Sequence, residues 1–330
     1  MSHPIWHPES LASRLPFLRR RARLAAATRA FFTARGYTEV ETPYAVGTPG
    51  EEVHLRAFRT ERETVDGHRE PLWLHTSPEF AMKQLLVAEA GPIFQLARVW
   101  RNGEGSDLHA HEFTMLEWYR PGADMASLID ETTAYLRAVL PPVVTCRGVA
   151  TDLAAVERLT VAEAFTRHAG VDVLATAGDA PALAAAAGTR LRANEDWEDL
   201  FFRLLLERIE PRLGRAHPTF LTHWPAAQAA LARRDPADPR VAERFELFVC
   251  GIELANAFVE LTDADEQRAR FEVDRARRHA MTGPDWPLDA DFLAALAFGM
   301  PPSAGIALGF DRLAMIASGA SRIDQVLWLG

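Results

Sequence analysis

The stretch that most constrains this chain runs from Phe94 to Arg120, FQLARVWRNGEGSDLHAHEFTMLEWYR. Two arms rich in β-branched and aromatic residues, FQLARVWR and EFTMLEWYR, flank a ten-residue polar loop with glycines at 103 and 105. That pattern predicts an antiparallel hairpin. Period two places Phe113, Met115, Glu117 and Tyr119 on one face of the second arm, and Thr114, Leu116, Trp118 and Arg120 on the other. A carboxylate and a phenol beside an aromatic ring on a half-buried face pack poorly, but they suit a cationic, nucleotide-like ligand. Arg101, at the end of the first arm, supplies the opposite charge. The alternative is a hairpin whose charges merely solvate an edge.

Upstream, Pro16 to Arg35 reads as an amphipathic helix with Pro16 in its first turn, where a missing N–H costs nothing. Phe17, Leu24, Phe31 and Phe32 recur at helical spacing, and Gly36 closes the element. YTEVETPY follows as a short strand ending at Pro43, which belongs at an edge, a bend or an interface. Residues 45–70 read as loop and short strands. LWLHTSPEF then carries a strand into a helix capped by Thr76 or Ser77, with Glu79 near the positive end of its dipole. From 122 to 240 the chain reads as mostly helical, with alanine-rich filler or a surface appendage at 175–187.

Two later stretches carry chemistry. In FELFVCGIELANAFVELTD (245–263), Glu246, Glu253 and Glu260 recur every seven residues. The Phe, Val, Ile and Gly251 between them favour two strands, taken to join across Ala255-Asn256, over a helix. Glu246 and Glu253 could then meet a metal, with Glu260 further along; a helical surface row of acids is the alternative. Buried acids need a cation or a donor. In GMPPSAGIALGFDRLAMIASG (299–319), Gly305, Ala307 and Gly309 allow close backbone approach to a ligand. Asp311-Arg312 opens an apolar helix whose start, with the arginine, forms an anion site.

Composition sets the limits. At 330 residues the chain has room for two domains by size, at about 150 residues each, but no linker forces a cut. A net charge of −9, from 36 basic and 45 acidic residues, provides no global basic field for nucleic acid. Cys146 and Cys250 stand alone, without metal-ligand or disulfide spacing, as suits a reducing cytoplasm. No apolar run approaches the roughly 20 residues of a membrane helix, and MSHPIWHPES lacks the apolar core of a signal peptide.

Taken in order, these pieces resemble the class II aminoacyl-tRNA synthetases. Helix–strand–Pro43 is similar to motif 1, FQLARVWRN with HEFTMLEWY to motif 2, and GIALGFDRL to motif 3. TSPE, GIELANAFVEL and MPPSAGIALGFDRL most resemble lysyl-tRNA synthetases. The implied fold is α+β, one catalytic domain over 1–330 built on a mainly antiparallel sheet flanked by helices, with a variable helical region at about 140–235. About fifteen residues precede the motif 1 helix, too few for the OB-fold that reads the anticodon. The expectation is therefore similarity to stand-alone lysyl-tRNA synthetase paralogs, which activate β-lysine and attach it to a lysine of elongation factor P. Ala307, where lysyl-tRNA synthetases usually have glycine, agrees.

The resemblance implies a division of roles. Arg101 bridges the amino-acid carboxylate and the α-phosphate of ATP, and Phe113 stacks on adenine. Asn102, Gly103 and Leu254 also line the ATP site, Gly309 lies under the nucleotide, and His109 and Arg312 take the terminal phosphates. Arg101, Glu253 and Arg312 are the catalytic set, and Glu246 and Glu253 hold Mg²⁺. The substrate's cationic side chain, of lysine or β-lysine, falls to Glu260 and Tyr119 with Asn256 nearby, and its other amino group to Glu79, Ser77 and Pro78. Glu117 and Ala307 complete that pocket. Motif 1 implies a homodimer. Two departures stand out: the acid expected after Arg-Asn is shifted to Gly103-Glu104, and the usual His-Asn-Pro-Glu-Phe reads His109-Ala110-His111-Glu112-Phe113. Zinc at His109, His111 and Glu112 is rejected because alternating residues face opposite ways. An activator serving another carrier or small molecule, and a silent lysine or ATP sensor, are the competing functions.

Overall fold

A computed structural model describes residues 4, 6–229, 231–283 and 286–329. They fall into a first unit, up to Asp124 and again from Glu260, and a second unit, Met125–Val259. The chain opens with α1 (Pro8–Thr33), β1 (Thr38–Glu39), β2 (Ala45–Val46), β3 (Phe58–Glu63), β4 (Arg69–Leu74), α2 (Glu79–Val87), β5 (Ile93–Trp100) and β6 (Glu112–Pro121). The second unit holds α3 (Met125–Val139), β7 (Val143–Cys146), β8 (Val149–Asp152), β9 (Glu157–Thr160), α4 (Val161–Ala169), α5 (Ala180–Ala186), α6 (Trp197–Leu204), β10 (Thr219–Pro225), β11 (Val241–Val249) and β12 (Ile252–Val259). The chain then returns with α7 (Ala264–Thr282), α8 (Ala290–Gly299), β13 (Ser303–Gly309) and α9 (Phe310–Ser318).

In the first unit the strands lie in the order β1–β5–β6–β13. The expected hairpin forms, with Tyr119 opposite Ile93 and Phe113 opposite Val99. β13 pairs antiparallel with the other edge of β6, setting Gly305 opposite Tyr119 and Ala307 opposite Glu117. Only β1 runs parallel to its neighbour β5. In the second unit the order is β12–β11–β10–β9, antiparallel except for β9 with β10. The α+β class and the mainly antiparallel pairing are as the sequence implies.

Four local readings change. Helix α1 begins at Pro8, the residue that occupies its first turn, while Pro16 lies inside it and removes one i→i−4 bond. Residues 140–235, expected to be helical, also contain β7 to β10, because the VVTC, VATD, ERLT and TFLTHWP runs find ladder partners. The alanine-rich run is not a surface appendage: Leu183, Ala184 and Ala187 pack into the second unit's core with Phe165, Phe201 and Trp224. Finally, β11 and β12 join at Cys250-Gly251, not across Ala255-Asn256. Both turn residues have positive φ, 55° and 71°, the geometry of a two-residue turn that matches strand twist.

Both faces of β6 are covered. Leu116 and Trp118 face the side where the Phe32 ring of α1 lies 5.0 Å from Trp118 and 4.9 Å from Phe94. An ion pair fixes the helices on that side. Asp311, 1% exposed, accepts from Arg21 Nε at 3.0 Å and Nη2 at 2.6 Å. Its other oxygen accepts from the Thr114 backbone N–H at 2.8 Å, so one carboxylate ties α1, α9 and β6 together. Replacing it by alanine strands both Arg21 and a buried N–H. Asp311→Ala should lose about 3–5 kcal/mol of stability, read as a lower denaturation midpoint with an unchanged m-value in urea at neutral pH.

Candidate active site

The motif 2 face of β6 has a cationic end and an anionic end. Phe113 and Tyr119 are six residues apart, about 20 Å along a strand. At the first end the Arg101 guanidinium lies 5.3 Å from the centre of the Phe113 ring. Its nearest carboxylate, Glu104, is 3.8 Å away, and its Nε is buried with no hydrogen-bond partner. An arginine left this under-committed offers its donors to an incoming anion. His109, in the same loop as Arg101's neighbours, meets Arg312 of α9: Arg312 Nη2 donates to His109 Nε2 at 2.5 Å, while Ser106 Oγ meets His109 Nδ1 at 2.8 Å. Asn102 and Gly103 are exposed in the loop. A Cβ built at Gly309 would make only ordinary contacts with the Arg312 side chain, so nothing among the described residues demands glycine there.

The other end collects carboxyl groups. Glu117 is fully buried; it accepts from Ser77 Oγ at 2.6 Å and from the Tyr119 hydroxyl at 2.8 Å. Ser77 Oγ also accepts from the Glu79 N–H at 3.0 Å, though the N-cap position expected for Ser77 or Thr76 falls one residue later, where no side chain caps α2. Pro78 occupies the N-cap position. Burial, then the charge of Glu79, push the Glu117 carboxyl up to about 8 despite those two hydrogen bonds. Glu260, 2% exposed, is also raised by burial, against the pull of Lys83. The Tyr119 phenol is raised well above its ordinary value, first by burial and then by Glu117.

Lys83, which the sequence reading passed over, sits at the centre. It is 1% exposed, and its Nζ lies 2.5 Å from Glu79 Oε1 and 2.5 Å from Glu260 Oε2. Burial pulls its pKa down, but the Glu260 and Glu79 charges override this and raise it. So Glu79 and Glu260, both assigned to substrate amino groups, already share an internal ammonium. Its i+4 spacing from Glu79 was the one available signal. Gln95 was missed as well: it is opposite Glu117, and its Nε2 is buried without a partner. The motif 3 glycine that matters sterically is Gly305, whose Cβ would lie 2.2 Å from the Tyr119 ring and 2.6 Å from Glu260 Oε1. Ala307 packs against the cluster of Ala97, Val99 and Met115.

In the second unit, Glu246 on β11 and Asn256 on β12 are direct partners. Arg244 Nη2 donates to Glu246 Oε1 at 2.6 Å and Arg244 Nε to Asn256 Oδ1 at 3.1 Å, with the guanidinium 4.0 Å over Trp224. Asn256, assigned to substrate, is therefore held by Arg244. Glu253 and Asn256 are three apart and would face opposite ways on a regular strand. A β-bulge inserts Leu254, so that Ala255 pairs with Leu247 and Glu253 with Phe248; Glu253 thereby returns to the Glu246 side. Burial raises the Glu246 carboxyl, Arg244 opposes this, and Glu253 adds to the rise. Among the described residues no group of three or more His, Cys, Asp or Glu could hold a metal ion. Two mutually repelling carboxylates nevertheless fit Mg²⁺, which commonly takes one or two protein carboxylates and completes its shell with phosphate and water.

This combination of antiparallel motif 2 and motif 3 strands, an under-committed arginine and paired acids has counterparts. The description "tRNA synthetases class II (D, K and N)" matches residues 12–330, and the chain belongs to that family. Within it, the chain is 44% identical over 328 residues to an elongation factor P–(R)-β-lysine ligase of Klebsiella pneumoniae subsp. pneumoniae, covering 98% of this chain and 96% of that protein. It is equally similar, 44% over 329 residues with the same coverage, to the protein of that name from Klebsiella pneumoniae strain 342.

The raised Glu117 pKa has a stability consequence. The folded state holds this proton up to about pH 8, the unfolded chain only to about 4.5, so the folded state binds more protons between those values and loses stability as pH rises through them. Glu117→Gln should match wild type near pH 4.5 and become progressively the more stable of the two up to pH 8. Thermal melts across this range check the sign; a difference that shrinks with pH contradicts it.

Proposed function

We propose that this protein activates a lysine-type diamino acid, (R)-β-lysine or lysine, with ATP and transfers it to the ε-amino group of a lysine on elongation factor P in the cytoplasm. The carrying observation is the charge count around Lys83. With Glu117 holding its proton to about pH 8, Glu79 and Glu260 against the Lys83 ammonium leave one negative charge, and Glu117 supplies a second when a substrate ammonium beside it displaces that proton. Kinship with ligases of that name over nearly their whole length supports the acceptor, and a net charge of −9 argues against a phosphate-rich one.

The amino-acid carboxylate is already a nucleophile, so the first step needs alignment and charge stabilisation rather than a base. Its oxygen attacks the α-phosphorus, the bond to the β-phosphate oxygen breaks, and pyrophosphate leaves. Arg101 binds both reacting anions through its uncommitted donors. Phe113 stacks on adenine, backbone at Asn102, Gly103 and Leu254 borders the nucleotide, and His109 with Arg312 holds the leaving phosphates. Tyr119 and Glu260 take the distal ammonium; Glu79, Ser77 and Pro78 take the other. Glu246 and Glu253 would hold Mg²⁺, which when bound screens the phosphate charge. In the second step the acceptor lysine nitrogen attacks the adenylate carbonyl, an amide forms, AMP departs and the amine loses a proton.

We assign the motif 1 region to a homodimer interface. Pro43 and Tyr44 stand exposed beside β1, and an isologous pairing would cover them. Light scattering at micromolar concentration should give twice the chain mass. Arg101→Ala should lower pyrophosphate exchange about 10²–10³-fold, as removal of a transition-state donor does; near-normal exchange removes the assignment. To identify the acceptor, enzyme, ATP and β-lysine are incubated with elongation factor P or tRNA-Lys. Mass spectrometry should show one added residue on the factor, and acid gels no charged tRNA. The reverse result would transfer the activity to tRNA.

A further inference from the structure

Lys83 has no role in the chemistry just described, yet it is buried, 1% exposed, at the anionic end of β6. It projects from α2, one turn after Glu79, into a space bounded by the Phe292 ring 6.0 Å from its Nζ. The Phe292 ring itself stacks on Phe80 at 4.4 Å. An ammonium has three donors; one goes to Glu79 Oε1 at 2.5 Å, and Glu260 Oε2 lies in ion-pair contact at 2.5 Å. The arrangement divides the Glu260 carboxylate. Oε2 is ion-paired with Lys83 Nζ at 2.5 Å but outside hydrogen-bond geometry, while Oε1 is buried, also without a hydrogen-bond partner, on the side kept open by Gly305, next to the Tyr119 ring.

We propose that Lys83 is a positioning residue that determines substrate specificity, an internal counter-ion that orients the Glu79 and Glu260 carboxylates so that each turns its other oxygen to one of the two ammonium groups of a diamino acid. This rests on the lysine-type reading above. Lys83 does not touch substrate in this scheme. It holds the two acids in a fixed spacing, and it cancels one of their charges, which limits how many positive charges the pocket asks of its substrate. A neutral analogue such as norleucine leaves Glu260 Oε1 unpaired in a buried place, which is strongly disfavoured. Without Lys83, Glu260 loses its nearest cation; being already raised by burial and by Glu79, it takes up a proton more readily and loses its preference for a charged side chain.

The test is pyrophosphate exchange by the full chain, with lysine, β-lysine and norleucine as separate substrates. Wild type decides the underlying reading: if it activates no diamino acid, that reading falls, whatever Lys83 does. Given wild-type activity, Lys83→Met keeps the volume and removes the charge. The expected result is an amino-acid KM raised at least tenfold with the ATP KM within twofold, and a lysine-over-norleucine preference reduced at least tenfold. The amino-acid KM should also gain a pH dependence absent from wild type, as the released Glu260 titrates. A folded Lys83→Met protein with wild-type amino-acid KM and preference overturns the proposal. Should that variant fail to fold, Lys83→Arg decides, since it keeps the charge but presents a wider fork. A shift of the amino-acid KM of threefold or more with an unchanged ATP KM supports positioning. A wild-type KM in folded Lys83→Arg shows that placement is immaterial and overturns it.

Discussion

Burying carboxyl groups against one strand is the constraint on which the first unit depends. Glu117 and Glu260 lie at 0% and 2% exposure, with Glu79 alongside, and an unpaired buried carboxylate costs several kcal/mol. The fold meets that cost with specific partners. Ser77 and Tyr119 donate to Glu117, and Lys83 serves Glu79 and Glu260. Each partner has its own structural requirement. Ser77 must sit in the turn before α2, where its Oγ also takes the Glu79 N–H, Tyr119 needs a glycine opposite at Gly305, and Lys83 needs α8 to enclose it with Phe292. A local arrangement of acids thus dictates where α2, α8 and β13 can be.

The opposite face of β6 shows how that arrangement is kept in place. Phe32, Phe94 and Trp118 form an aromatic packing between α1 and the sheet, and Asp311 binds Arg21 and the Thr114 amide. Motif 3 therefore places two adjacent residues in contrasting tasks. Asp311 is buried and structural, whereas Arg312 stays partly open and pairs with His109. The cationic end at Arg101 and Phe113 and the anionic end at Glu117 and Tyr119 share a single strand, so its rigidity sets their separation. Chemistry that joins a triphosphate to a diamino acid needs that polarity. In the second unit, a bulge at Leu254 and an arginine stacked on Trp224 do comparable work for Glu253 and Glu246.

Much of this was legible before any coordinates. The β5–β6 hairpin, the shared face of Phe113, Met115, Glu117 and Tyr119 and the α9 start follow from period-two alternation and turn chemistry, which are local properties. Membership of the class II synthetase family was legible too, through the resemblance carried by three short, ordered motifs. The rest depended on partners distant in sequence. The alternation at Cys250-Gly251 could not locate the turn, since Gly251 and the small residues at 255 and 256 both looked plausible; only the ladder with β11 chose between them. Strands β7 to β10 have weak individual patterns and exist because of neighbours. Lys83 drew no reading from the sequence, where its i+4 spacing from Glu79 was the one local signal. Its burial was decided by Glu260, which lies 177 positions later, and by Phe292, since the worth of an ion pair is set by the three-dimensional neighbourhood that removes water from it.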